Sequence, residues 1–155
     1  MIIEARIDIS GSKAAVWELI TDIEHAAETI TGIDRVEILE RPARGLVGLK
    51  WRETRTLFGK TATEVMWITA AVEQTSYETR AESHGCVYTC AFRLEGRDGA
   101  LSLTMSHETR PQALLAKLLA APMGLAFKGT LRKALLKDLQ DVKARVEASP
   151  RAPAA

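Results

Sequence analysis

The stretch FKGTLRKALLKDLQDVKARVEA, residues 127–148, decides the fold. Phe127, Leu131, Leu135, Leu139, Val142 and Val146 recur at steps of three and four, which lines them along one face of an α-helix. Arg132, Lys133, Asp138 and Asp141 fall outside that line. The helical reading extends back to Gln112: Pro111 suits a first turn, where its missing N–H costs nothing, and Leu114, Leu115, Leu118 and Leu119 form an earlier apolar stripe. Pro122-Met123-Gly124 interrupts it. Proline costs about 3 kcal/mol and glycine about 1 kcal/mol inside a helix, so a kink or short loop is expected there, with freedom for that portion to act as a gate.

Before this helix the period is two. Leu49, Trp51, Glu53, Arg55 and Leu57 share one face, and Lys50, Arg52, Thr54 and Thr56 share the other. The first set is the more apolar and is expected to face inward. Gly59-Lys60 places glycine first, as a tight type II′ hairpin requires. Counting from it pairs Phe58 with Thr61, Arg55 with Glu64, Glu53 with Met66 and Trp51 with Ile68. His84-Gly85 joins Ser76–Ser83 to Cys86–Glu95, and Asp98-Gly99 joins that strand to Ala100–Thr109. These registers set Tyr77 beside Phe92, Phe92 beside Met105, Thr79 beside Cys90 and Cys90 beside His107.

Upstream, Ile3, Ala5, Ile7 and Ile9 alternate with polar residues in a first strand. Ser12 can cap a helix carrying Val16, Leu19, Ile20 and Ile23, and His25 to Ile30 reads as a second helical turn closing at Gly32. Asp34 to Glu40 returns to strand character.

Composition narrows the function classes. The 155 residues carry 21 basic and 20 acidic side chains, a formal net charge of +1. No basic field for nucleic acid or an anionic membrane follows from that balance. No apolar run reaches membrane-spanning length, and Met1 to Ile9 reads as a strand instead of a signal peptide, so the cytoplasm is the expected location. Cys86 and Cys90 share a strand roughly 13 Å apart, too far to bridge, and read as small core residues.

This order of a strand, two short helices, six strands and one long helix resembles the START-like helix-grip superfamily (SRPBCC). Within it, the likeness is to the bacterial polyketide cyclase/dehydrase and lipid-transport group. The residues that carry it are the opening strand with Val16-Trp17 and Thr21-Asp22-Ile23, then Gly48, Gly59, Glu64 and the closing helix. The resemblance implies an α+β fold in which a curved antiparallel sheet of about seven strands wraps a long C-terminal helix. Residues 1–148 are expected to form one domain, with 149–155 a flexible tail. Members of the superfamily include carriers, hormone receptors, cyclases and co-chaperone domains, so the fold leaves the activity open.

Between such a sheet and helix lies a cavity. Apolar walls are expected from Trp51, Met66, Ile68, Phe92, Leu103, Met105, Met123 and Phe127, with Glu53, Arg55, Glu64, Tyr77, Thr79, Tyr88, Cys90 and His107 as the groups that orient a ligand. Arg55 and Glu64 read either as an ion pair that holds the hairpin or as a cavity-mouth pair whose guanidinium binds a ligand carboxylate or hydroxyl. His107 reads as a satisfied core histidine or as an acid–base group, and its neighbour Cys90 as a nucleophile only if an orienting group and an oxyanion site exist. No spacing of His, Cys, Asp and Glu gathers metal ligands, no glycine-rich phosphate loop appears, and no cofactor is implied.

The expected function is binding or transport of a small hydrophobic or amphiphilic molecule. The alternatives are a cyclase or dehydratase with His107, Tyr88 and Glu64 as acid–base groups, and an interaction module using the outer sheet face around Trp67. Ligand identity and oligomeric state lie beyond the residues.

Overall fold

Period-two alternation builds nearly all of the sheet. In the computed structural model, which describes residues 1–57, 59–112 and 114–148 apart from the side chains at 57 and 114–126, β1 runs Ile2–Ile9 and buries Ile3, Ala5 and Ile9 on one face. Helix α1, Lys13–Thr21, is capped by Ser12, whose hydroxyl accepts from the Ala15 N–H at 3.1 Å. A 3₁₀ turn, Ile23–His25, leads into the short α2, Ala26–Thr29. Then follow β2 Ile33–Glu40, β3 Lys50–Leu57, β4 Lys60–Val72, β5 Ser76–Ser83, β6 Cys86–Arg97 and β7 Ala100–Pro111. The seven strands form one antiparallel sheet in the order β1-β7-β6-β5-β4-β3-β2. Pairing of the first strand with the last sets Ile3 opposite His107 and Ala5 opposite Met105.

Two hairpins have the expected register. Ser83 pairs with Cys86 and Arg97 with Ala100, so Tyr77 meets Phe92, and the row Thr79, Cys90, His107 forms across three strands. The β3–β4 hairpin differs. Leu57 pairs with Lys60, and Gly59, at φ +76°, takes the second loop position instead of the first. The pairing slides by two residues: Arg55 faces Ala62, Glu53 faces Glu64 and Trp51 faces Met66. The expected Arg55–Glu64 neighbours are therefore not opposite each other. A slip of two preserves the face of every side chain, so the inward set is unchanged.

Helix α3 spans Leu114–Ala148 as one helix, without the short loop expected at Pro122-Met123-Gly124. The expected wall residue Met123 and the proposed gate fall among side chains outside the described residues, as does the tail at 149–155. Leu135, Leu139, Val142 and Val146 are buried, and the helix lies against β1, β7 and α1. Among the described side chains of α3 the buried stripe starts at Leu131; Phe127, one turn earlier, is 56% exposed and does not line the cavity. Trp67, expected as an exposed aromatic, is half-buried between Lys50 and Arg80 on neighbouring strands. Among the described residues no helix is long and apolar enough to cross a membrane.

Gly96 sits in β6 at φ +97°, where an added Cβ would overlap the Ala100 carbonyl oxygen, whereas a Cβ at Gly59 meets nothing. Both substitutions force a side chain into left-handed backbone, but only one also overpacks. Gly96→Ala should cost at least about 2 kcal/mol and Gly59→Ala about 1 kcal/mol, read from urea unfolding midpoints at equal slope.

Candidate functional site

The inner sheet face, the α1–β2 segment and α3 enclose a cavity of about 290 Å³. Its apolar walls are Trp51, Met66, Phe92 and Met105 from the sheet, Ile20, Ile23 and Ile30 from the α1–β2 segment, and Leu131, Leu135 and Val142 from α3. The expected polar groups Glu53, Arg55, Glu64, Tyr77, Thr79, Tyr88, Cys90 and His107 also border it. Ile68 and Leu103 are buried behind the wall and do not line it.

Alternation along β3 puts Trp51, Glu53 and Arg55 on one face, and their side chains join in sequence. Trp51 Nε1 donates to Glu53 Oε2 at 3.2 Å, and Arg55 Nε donates to Glu53 Oε1 at 2.5 Å. Arg55 Nη1 then reaches across to α3 and donates to Asp138 Oδ2 at 2.8 Å. Glu53 and Asp138 are each only 7% exposed. Burial opposes the Arg55 charge, but the two carboxylates together outweigh it and raise its pKa further above the ordinary arginine value. For Asp138 burial dominates: it pushes the carboxyl above its ordinary value against the pull of Arg55. Glu64, expected to hold Arg55, instead accepts a long 3.3 Å hydrogen bond from Ser83 Oγ.

The turn before β2 closes over this bridge. Asp141, one turn beyond Asp138, accepts from the Thr31 N–H at 2.9 Å and from the Thr31 hydroxyl at 2.8 Å. Lys137 donates to that same hydroxyl and to Asp141. A Cβ on the adjoining Gly32 would lie 3.6 Å from Arg55 Nη1.

At the other side, Tyr77 stacks on Phe92 at 4.6 Å and meets Trp17 edge-on at 6.1 Å. Its hydroxyl donates to the Ile20 carbonyl at 2.9 Å, so it fastens α1 to the sheet and is not free to orient a ligand. Thr79 Oγ1 is likewise directed to the Cys90 carbonyl, at 3.5 Å.

His107 Nδ1 lies 3.3 Å from Cys90 Sγ, its Nε2 lies 3.3 Å from Thr109 Oγ1, and its ring is 5.9 Å from that of Tyr88. Burial, then the N-terminal ammonium, lowers the His107 pKa, so the imidazole is neutral near pH 7. Burial pushes the Cys90 thiol up to about 12. A thiol so disposed is protonated at neutral pH, and the thiolate is the nucleophilic form. Neither Cys86 nor Cys90 is in a disulfide; Cys90 is partly buried against the core cluster, and Cys86 is half-buried outside it. Burial raises the Tyr88 pKa as well, favouring a hydrogen-bonding phenol over a phenolate. Among the described residues no group of three or more His, Cys, Asp and Glu is placed to hold a metal.

Asp138 is the charged site residue missed in the sequence, where it falls off the apolar line, and the walls from the α1–β2 segment and from Leu131, Leu135 and Val142 were missed as well. The spacing of Asp138 carried the signal: it lies three residues after Leu135 and four before Val142, on the same helical face.

The strand order, the closing helix and the cavity define a START-like helix-grip protein. The model of the family described as polyketide cyclase / dehydrase and lipid transport matches residues 1–147, and the chain belongs to that family. Among solved structures it is similar to the Zhui aromatase/cyclase from Streptomyces sp. R1128, with 18% identity, 98% of this chain and 96% of that one covered, and a TM-score of 0.77. A START superfamily protein from Mycobacterium smegmatis aligns at 14% identity over 94% of this chain and 97% of that one, TM-score 0.75. Major latex-like protein 151 from Panax ginseng aligns at 15% identity over 94% and 97%, TM-score 0.76. At such identities the likeness is one of fold. A search of the curated proteins finds no match.

The shift at Asp138 fixes a pH dependence. A carboxyl whose folded-state pKa exceeds its unfolded value contributes most to stability below the ordinary 3.8, and that contribution is lost as the pH rises through the raised value. Asp138→Asn removes this titration. The stability advantage of the wild type over Asp138→Asn should therefore be largest in acid and shrink as the pH rises above 3.8, measured by urea unfolding of both proteins across the range.

Proposed function

We propose that this protein binds a small hydrophobic or amphiphilic molecule in the cavity between sheet and α3, as a carrier or receptor without covalent chemistry. The observation that carries this reading is the cavity itself: about 290 Å³ walled by apolar side chains, with polar groups concentrated in the Glu53–Arg55–Asp138 bridge, Glu64 and the Tyr88–His107 corner. Its volume sits at the lower edge of ligand pockets, roughly 300–1,000 Å³, so a compact ring system or a medium-length chain fits better than a full-length lipid. Trp51, Met66, Phe92 and Met105 would cover the apolar body, and the carboxylates, Tyr88 and His107 would orient the polar end. The family's description, which includes lipid transport, supports the same reading.

A second reading is acid–base catalysis of the kind an aromatase/cyclase performs. It draws support from a neutral imidazole, His107, and a carboxyl held above its ordinary value, Asp138, both bordering the same cavity. The likeness in fold to the Zhui aromatase/cyclase is compatible with it.

Native mass spectrometry of protein from its own host should retain one small molecule per chain. N-phenyl-1-naphthylamine, a neutral fluorescent probe, should bind the wild type saturably, and Met66→Trp, which fills the cavity, should weaken it at least about tenfold with the fold intact. No host ligand and no probe binding would overturn the binding reading. For the catalytic one, turnover of a poly-β-ketone substrate should fall by about a hundredfold or more in His107→Gln while probe affinity holds, and unchanged turnover would end it.

A further inference from the structure

One wall of the cavity is built unlike the others. The sheet and α3 are long elements, but the segment between α1 and β2 holds only the 3₁₀ turn Ile23–His25 and the four-residue α2, Ala26–Thr29, which buries no residue. A helix so short is marginal on its own. Ile23 and Ile33 are buried, and from 24 to 32 nothing between them is, although Ala26, Thr29 and Ile30 line the cavity. Few buried contacts mark the part of a fold that opens first.

Both ends of this segment are fixed, and beside each lies a break in regular backbone. The Tyr77 hydroxyl holds α1 at the Ile20 carbonyl, and α1 ends at Asp22, at φ −79° and ψ 70°, outside helical geometry. At the other end β2 pairs with β3, with a register shift between Ile33 and Arg35. Beyond the local Asp22–His25 pair, the hydrogen bonds that tie residues 24–32 to other elements, among the described residues, are made at two places. Arg41 donates to Glu24 at 2.6 Å on the surface, and α3 grips Thr31. Asp141 Oδ2 accepts from the Thr31 N–H at 2.9 Å and from its hydroxyl at 2.8 Å, while Lys137 donates to that hydroxyl at 3.0 Å and to Asp141. The tip of the segment rests on the charged bridge: a Cβ on Gly32 would lie 3.6 Å from Arg55 Nη1 and 3.7 Å from Asp138 Oδ1.

We propose that residues 24–32 are a lid over the cavity, hinged at Asp22 and at the irregularity after Ile33, and that the grip of Asp141 and Lys137 on Thr31 is its latch. Opening lifts α2 and Ile30 off the cavity and is the step that admits and releases the ligand. This rests on the binding reading above and names how that same site exchanges what it holds.

Amide hydrogen exchange and stopped-flow binding of N-phenyl-1-naphthylamine test it together. Asp141→Ala removes the carboxylate of the latch, and Thr31→Val removes the hydroxyl while keeping the backbone N–H. Neither residue lines the cavity, so neither change alters a contact to the probe. Thr31→Val, at an exposed position, tests the latch should Asp141→Ala fail to fold. In Asp141→Ala the amides of residues 24–32 should exchange at least about tenfold faster than in the wild type. Opening precedes both entry and exit, so probe association and dissociation should each quicken, about tenfold in Asp141→Ala and about threefold in Thr31→Val, with Kd held within about twofold. Glu147→Ala, which cuts the tie of α3 to the Ser10 N–H further along the helix, should leave both the exchange at 24–32 and the probe rates unchanged. Exchange unmoved by Asp141→Ala, probe rates equal to those of the wild type, or the same quickening in Glu147→Ala would each overturn the lid while leaving cavity binding in place. A probe that fails to bind at all would overturn the binding reading, and the exchange result would still decide the latch.

Discussion

Arg55 lies between two buried carboxylates, Glu53 beside it on β3 and Asp138 across the cavity on α3, and the rest of the site depends on that bridge. Toward its C-terminal end α3 needs no such device. There Val146 is buried in one core cluster with Ile3, Ala5 and Ile9 of β1, and apolar burial is sufficient. Beside the cavity a long, planar, always-charged side chain runs from β3 to α3. Removing charges from water is expensive, and the attraction offsets this only where geometry and hydrogen bonds are good. The Trp51 indole and the clamp of Asp141 on Thr31 supply that geometry from both sides.

The same bridge gives the cavity its chemical character. Arg55 is held on both sides through Nε and Nη1 while its Nη2 has no partner among the described residues, and the carboxylates of Asp138 and Glu64 border the same space. Tyr77, polar by type, is spent on the Ile20 carbonyl, so it acts as a fastening within the fold. His107 and Cys90 remain a neutral pair, one with its pKa lowered by burial and the other raised by it. An apolar chamber with one acid-rich side is a more specific object than the general helix-grip cavity.

The sheet was legible because alternation and loop residues agree: two hairpins follow directly from His84-Gly85 and Asp98-Gly99. The third slid because one glycine can serve either position of a two-residue loop, and only the backbone shows that Gly59 takes the second. That slip left the cavity-facing set intact but exchanged the partner of Arg55. Asp138 escaped notice because a charged residue on a helix is read as solvated unless a partner is known, and its partner lies 83 positions away. Phe127 shows the opposite limit: periodicity tells which face of the helix a residue takes, not whether anything covers it there.

The central claim is that Arg55 and Asp138 act together to hold α3 over the cavity. A double-mutant cycle with Arg55→Met, Asp138→Ala and the combined variant, followed by urea unfolding at neutral pH, tests it most directly. Coupling of about 1–3 kcal/mol is expected, the double variant losing less than its two parents separately. Losses that add to within about 0.5 kcal/mol would contradict the account.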